Sequence, residues 1–237
     1  MTGCRASGRT CCRPLDHSFF FDRLYPLQEE VLRVLSAAET GFYLSGGTAA
    51  SRGYLQHRFS EDLDLFVNDD ASFGLWTARF IDRLAGRPEW HLRVLLREAR
   101  FVRLEVESTA TTLKVEMVND VPAHVGEITL HPRLGRLDSP ENILANKLTA
   151  LADRNEPKDV ADVWGFCCRL GLPLSRALDD ASSKAAGLFP PALARGLLSA
   201  SRADWELIRW IEAPDPDTFL ADLRRLGEEL ALLPPPR

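Results

Sequence analysis

GFYLSGGTAASRGYLQHRFSEDLDLFV, Gly41 to Val67, decides how the chain is read. Gly41 to Ser45 is short, apolar and aromatic, the pattern of a buried strand. Gly46 and Gly47 end it. A residue without Cβ permits positive φ and lets another group approach the backbone closely. Thr48 is then placed to cap a helix through Tyr54 and Leu55, with free N–H groups aimed back at the turn, a natural seat for phosphate. Asp62-Leu63-Asp64-Leu65-Phe66-Val67 follows. Alternate strand residues share a face, so Asp62 and Asp64 point one way while Leu63, Leu65 and Val67 point into a core.

Two adjacent carboxylates repel unless a positive charge lies between them. Magnesium suits hard oxygen donors combined with substrate phosphates. A phosphate-cradling turn, a helix and then paired strand carboxylates therefore point to metal-assisted nucleotidyl transfer. Neither half carries this alone: a Gly-Gly is usually a turn, and an Asp-x-Asp is usually a solvated strand face.

Working outward, Leu27 to Thr40 has helical spacing through Leu27, Val31, Leu32 and Leu35. After the turn Asn68-Asp69-Asp70, Ser72 is expected to cap a helix to about Ala85, ended by Gly86-Arg87-Pro88. Strands are expected over Leu92 to Leu96, Phe101 to Glu107 and Thr112 to Val118, with Glu127 to His131 as a short edge strand. In the third of these, Leu113, Val115 and Met117 alternate with Lys114, Glu116 and Val118. Glu116 is thus a candidate third metal ligand, with Glu105 and Glu107 as rivals on the preceding strand and a solvated sheet face as the bland alternative. From Asp138 the pattern is helical. Asp138-Ser139-Pro140-Glu141 is a start signal, and further helices are expected from Pro157 to Leu170, Leu174 to Leu188, Pro191 to Ser199, Ala203 to Ile211 and Asp217 to Leu233. The layout is α+β: a disordered extension over 1–14, a mixed-sheet core with flanking helices over 15–137, and a C-terminal helical domain over 138–237.

Lys147 stands inside an apolar stripe made by Ile143, Leu144, Leu148 and Leu151. A lysine there snorkels, pairs with an acid or reaches into a cleft. Asp159 falls in the first turn of the next helix, where the macrodipole favours an acid; it also shares a face with Val163 and Phe166 and so can point inward.

The 237 residues carry 45% hydrophobic and 27% charged residues, ordinary for a globular chain. A net charge of −5 and a pI near 5.6 argue against a protein that coats nucleic acid non-specifically. Arg93, Arg97, Arg100 and Arg103 form a basic strip that reads as a solvated face. Cys4, Cys11, Cys12, Cys167 and Cys168 show neither zinc spacing nor a disulfide framework, so reduced thiols in a cytoplasmic protein are expected. No apolar run approaches a membrane span.

Ser45-Gly46-Gly47-Thr48-Ala49, His57-Arg58-Phe59-Ser60-Glu61-Asp62-Leu63-Asp64-Leu65-Phe66, Asn146-Lys147-Leu148-Thr149-Ala150-Leu151 and Lys158-Asp159-x-x-Asp162 resemble, in order, motifs of the AbiEii/AbiGii nucleotidyltransferases, toxins of toxin–antitoxin and abortive-infection systems. The resemblance spans Tyr43 to Trp164. It implies a nucleotidyltransferase-like fold. It implies that Gly46, Gly47 and Thr48 hold an NTP, that Asp62 and Asp64 hold Mg²⁺, with Glu116 as their companion, and that Lys147 contacts phosphates. Asp159 would orient the acceptor or Lys147, Asp162 would be structural, and Arg58 and Ser60 would brace the Asp-x-Asp strand. It also implies tRNA as acceptor and a cognate antitoxin as partner. The residues themselves leave open a small-molecule or protein acceptor, or a non-catalytic protein that only binds nucleotide.

Overall fold

The computed structural model describes residues 17–154 and 156–234; the extension expected over 1–14 lies outside them. The chain enters through α1 (His17–Phe19), a wider π-type turn Phe20–Leu24 and α2 (Tyr25–Ala37). β1 (Tyr43–Ser45) runs straight into a single turn, α3 (Gly46–Thr48), which widens to a π-type helix over Ala49–Leu55. β2 (Leu63–Asn68), α4 (Phe73–Ala85), β3 (His91–Arg97), β4 (Phe101–Glu107) and β5 (Thr112–Asp120) follow. Two three-residue strands, β6 (Thr129–His131) and β7 (Gly135–Leu137), close the sheet.

The seven strands run in the order β3-β4-β5-β2-β1-β7-β6. β2 pairs antiparallel with β1 and parallel with β5, and β7 pairs parallel with β1. Register brings Ser45 opposite Asp64, and Asp64 opposite Glu116. The alternation read from the sequence holds: Leu63, Leu65, Val67, Leu113, Val115 and Met117 are buried. β7 has no signature in the sequence. Gly135-Arg136-Leu137 is too short to display a period, and Gly135 takes φ +72°.

Helices follow: α5 (Pro140–Asp153), α6 (Pro157–Trp164), a π-type turn Gly165–Arg169, α7 (Leu174–Ser182), α8 (Pro190–Leu198), α9 (Arg202–Leu207) and α10 (Pro216–Leu232). Ser139 caps α5 by accepting from the Asn142 N–H at 3.0 Å. Ser72, expected to cap α4, makes no such bond with its side chain; its N–H instead donates to Asp70 Oδ1 at 2.6 Å. Buried side chains from Phe20 to Leu230 form one contiguous cluster, so the sheet and the C-terminal helices share a core. α9 ends before Ile208, and the chain then doubles back. The Phe59 N–H donates to the Arg209 carbonyl at 2.7 Å, and the Ile211 N–H to the His57 carbonyl at 2.9 Å. This strap lies against the loop that leads into Asp62.

Candidate active site

A cleft of about 790 Å³ opens between the polar face of the sheet, α5, the start of α6 and the strap. Ser45, Gly46, Gly47, Asp62, Asp64, Glu116, Lys147 and Asp159 all line it. So residues more than a hundred positions apart meet on one surface, as the motif order requires.

Gly46 has φ +64°, and a Cβ there would lie 2.1 Å from Asp64 Oδ2. A Cβ on Gly47 would lie 2.8 Å from Arg58 Nη2. Both glycines therefore make room for functional side chains of the protein as well as for any ligand. Thr48 is placed differently from its expected role. It sits inside the helical turn, fully buried, and does not line the cleft. Its hydroxyl donates to the Asp62 carbonyl at 2.5 Å and lies 2.9 Å from the Ser60 hydroxyl. It thus ties the glycine turn to the Asp-x-Asp segment. The cap position falls to Ser45, whose hydroxyl donates to Asp138 Oδ2 at 2.5 Å instead of capping the helix.

Asp64 makes no ion pair among the described residues. Burial and the neighbouring Glu116 carboxylate raise its pKa to about 6, against the pull of Lys147. Asp62 is more exposed and pairs with Lys114 Nζ at 2.8 Å. Glu116 binds Arg103 Nε at 2.8 Å and Lys114 Nζ at 3.3 Å. The rival Glu105 is on the same face, opposite Lys114 in register, but it pairs with Arg93 and does not line the cleft. No group of three or more His, Cys, Asp or Glu side chains is assembled for a metal among the described residues. What the donor set offers a hard divalent cation is the Asp62–Asp64 pair, whose repulsion already draws in one cation, Lys114. Two carboxylates suit magnesium, which keeps waters and takes phosphate oxygens for its remaining ligands. Glu116 backs them with its charge while held by Arg103 and Lys114.

Across the cleft, Lys147 is 7% exposed and does not snorkel. Its ammonium lies 2.7 Å from Asp159 Oδ1 and 2.8 Å from Asp162 Oδ2. Burial works against the charge, but these two carboxylates overcome it and raise its pKa. Asp159 also accepts from Arg154 Nε at 3.0 Å. Asp162 is the hub. Arg58 clamps it bidentately, Nε and Nη2 each at 2.7 Å, and His57 Nε2 meets Oδ1 at 3.0 Å. Burial opposes its ionisation; Arg58 and Lys147 reverse that and hold its pKa well below the usual carboxylate range. Lysine has three N–H donors. Two are committed to acids, leaving one for a group in the cleft.

Arg103, Lys114, Arg154 and Arg209 also line the cleft, although sequence reasoning assigns none of them a site role. Lys114 carries a signal, its parity with Glu116. Arg209 carries none, because it arrives through the strap.

A turn and an Asp-x-Asp on adjoining strands, faced by a lysine fixed between two acids, define a nucleotidyltransferase-type protein. The family model described as nucleotidyl transferase AbiEii toxin, type IV toxin–antitoxin system, matches residues 30–207, and the chain belongs to that family. No curated protein matches the sequence. Among solved structures, MenT4, a nucleotidyltransferase toxin from Mycobacterium tuberculosis, is similar with a TM-score of 0.65 at 17% identity, over 89% of this chain and 84% of that one. JHP933 from Helicobacter pylori is similar with a TM-score of 0.57 at 21% identity, over 88% and 92%. At these identities the likeness is one of fold.

Proposed function

We propose that the protein transfers a nucleoside monophosphate from an NTP to an acceptor hydroxyl, with Mg²⁺, as the cytoplasmic toxin of a toxin–antitoxin or abortive-infection system. The reading is supported above all by the juxtaposition of the Gly46–Gly47 turn, the Asp62–Asp64 pair and Lys147 around one cleft. The backbone N–H groups of Gly46 and Gly47 cradle the triphosphate, and Thr48, buried behind the turn, braces it. Asp62 and Asp64 hold the metal, with Glu116 beside them. When bound, magnesium neutralises phosphate charge and favours the ionised form of the attacking oxygen. The acceptor oxygen forms a bond to the α-phosphorus, and the bond to the bridging oxygen breaks, releasing pyrophosphate. Lys147 donates its remaining N–H to a phosphate oxygen on which charge develops. Asp159 and Asp162 hold that ammonium in place, and Asp159 is positioned by Arg154 in turn.

tRNA is the acceptor this reading favours, supported by the family and by Arg103, Arg154, Lys158 and Arg209 on the cleft wall. A cognate antitoxin is the expected partner. The test is incubation with each labelled NTP, Mg²⁺ and total RNA, protein extract or small-molecule pools. Label on tRNA is the expected result. Label on protein or a small molecule would replace the acceptor; label nowhere, with NTP still bound, would make the chain a nucleotide-binding protein instead.

A further inference from the structure

Among the described residues, the cleft face of the sheet carries one lysine, and it does not sit like an ordinary cross-strand partner. Lys114 and Glu116 are two apart on β5, so both point into the cleft. Extending the β2–β5 register by one residue sets Lys114 beside Asp62, as Glu116 is beside Asp64. The ammonium lies 2.8 Å from Asp62 Oδ2 and 3.3 Å from Glu116 Oε1. Asp62 has no other ion-pair partner among the described residues. Arg93 and Glu105 provide the contrast, one acid and one base on the same sheet, away from the cleft. Exposed pairs of that kind contribute little. Lys114 instead bridges two acids, one of which belongs to the pair offered to a metal.

Resting on the metal-dependent reading above, we propose that Lys114 is a resident counter-ion that occupies the place of the divalent cation beside Asp62 until metal and nucleotide enter. Without it, Asp62, Asp64 and Glu116 would face one another across two adjacent strands with Arg103 on Glu116 and the pull of Lys147 on Asp64 to offset them, and nothing paired with Asp62 among the described residues. With it, the sheet is stable empty. The same contact makes the ammonium a competitor, because the Asp62 oxygen it holds is one a metal needs. Entry of the metal transfers Asp62 from lysine to cation. Lys114 stays within reach of Glu116, which keeps it at the mouth of the cleft as a positive charge for the incoming triphosphate. Lys114 is thus a positioning residue that sets metal affinity.

The test is Mn²⁺ binding to the full chain, followed by electron paramagnetic resonance without nucleotide, beside thermal melting with and without Mn²⁺. Lys114→Met should bind Mn²⁺ roughly two- to fivefold more tightly than wild type, the scale of one lost competing ion pair. It should melt lower than wild type in chelator and gain more from Mn²⁺. Lys114→Arg, which keeps the charge, should not show the tighter binding, and Arg93→Met should leave affinity unchanged. Equal Mn²⁺ affinity in wild type and Lys114→Met, or the same gain in Arg93→Met, would overturn the inference. Should Lys114→Met fail to fold, Lys114→Gln carries the same expectation. An Asp62→Asn/Asp64→Asn variant separates the two layers. If it binds Mn²⁺ like wild type, the metal reading itself fails. If it loses Mn²⁺ while Lys114→Met is unchanged, only the role of Lys114 fails.

Discussion

Lys147→Met is the most informative single change. The side chain loses its charge and keeps its bulk. A lysine that only snorkelled would give a neutral or stabilised protein. The structure leads to a different result. The substituted methionine would leave two fully buried carboxylates facing an apolar methyl group. Asp162 keeps the Arg58 fork at 2.7 Å, so most of the loss falls on Asp159, which retains only Arg154. Removing one partner of a buried pair costs about 3–5 kcal/mol. With both acids still partly compensated, about 2–3 kcal/mol is expected, at or just below the bottom of that range. Urea unfolding at neutral pH measures it. The pH dependence follows from the directions of the shifts. The raised Lys147 pKa gives a contribution fully present below 10.5 and lost as pH rises through the folded value. The depressed Asp162 pKa gives one fully present above 3.8 and lost as pH falls through the folded value. The gap between wild type and variant should therefore be widest near neutrality, and should narrow in acid as Asp162 takes a proton and in base as Lys147 loses one. Adding Asp159→Asn to Lys147→Met removes the orphan, so stability should partly return. Turnover should not: loss of the phosphate contact is expected to cost about a hundredfold in rate, roughly 3 kcal/mol. A Lys147→Met protein as stable as wild type would refute the buried network. A stable double variant with wild-type turnover would refute the phosphate role.

Asp64→Asn should abolish nucleotidyl transfer and leave the fold intact. Because the folded pKa of Asp64 is raised to about 6 from 3.8, wild type loses stability as pH rises between those values, so the Asn variant should overtake it above pH 6 in chelator. A chelator-treated Asp64→Asn protein less stable than wild type at about pH 7.5 would contradict this. Gly46→Ala adds a Cβ 2.1 Å from Asp64 Oδ2 at φ +64°, and should cost about 1–2 kcal/mol of strain and displace the carboxylate; melting together with Mn²⁺ affinity checks both, and unchanged values would show that the turn relaxes freely. Asp162→Asn should destabilise by about 3 kcal/mol or more, since it uncouples Arg58 and Lys147 at once; equilibrium unfolding within about 1 kcal/mol of wild type would mean the fork is dispensable.

The central strand–turn–strand is legible because its signals are local. Gly46-Gly47 punctuates the chain, Leu63, Leu65 and Val67 alternate, and β5 repeats that alternation, so register alone sets Asp64 beside Glu116. The start of α5 is legible from Asp138-Ser139-Pro140-Glu141, its proline and its cap. What periodicity cannot supply is the partner of a polar side chain. Arg58 meets Asp162 across 104 positions, and Lys147 shows only that it is an anomaly in an apolar stripe, not which acids resolve it. Thr48 reads as a cap from its distance to the following helix. In the fold the turn begins earlier, at Gly46, which moves Thr48 inside it and frees its hydroxyl to brace Asp62. The three-residue strands carry too few residues to declare a face.

The strap bears on how the protein is made. The backbone groups of His57 and Phe59 that Ile211 and Arg209 satisfy lie just ahead of the Asp-x-Asp segment. During synthesis that segment emerges long before its partner, and pairing across such a separation is slow to form. A nascent chain stopped short of Arg209 has all its metal-facing acids and its buried lysine, yet an open loop beside them. A frameshift or stop codon late in the gene would disarm the protein while leaving every recognisable motif intact. Survivors of its overexpression should therefore include lesions clustered far downstream of the sequence that gives the family its signature.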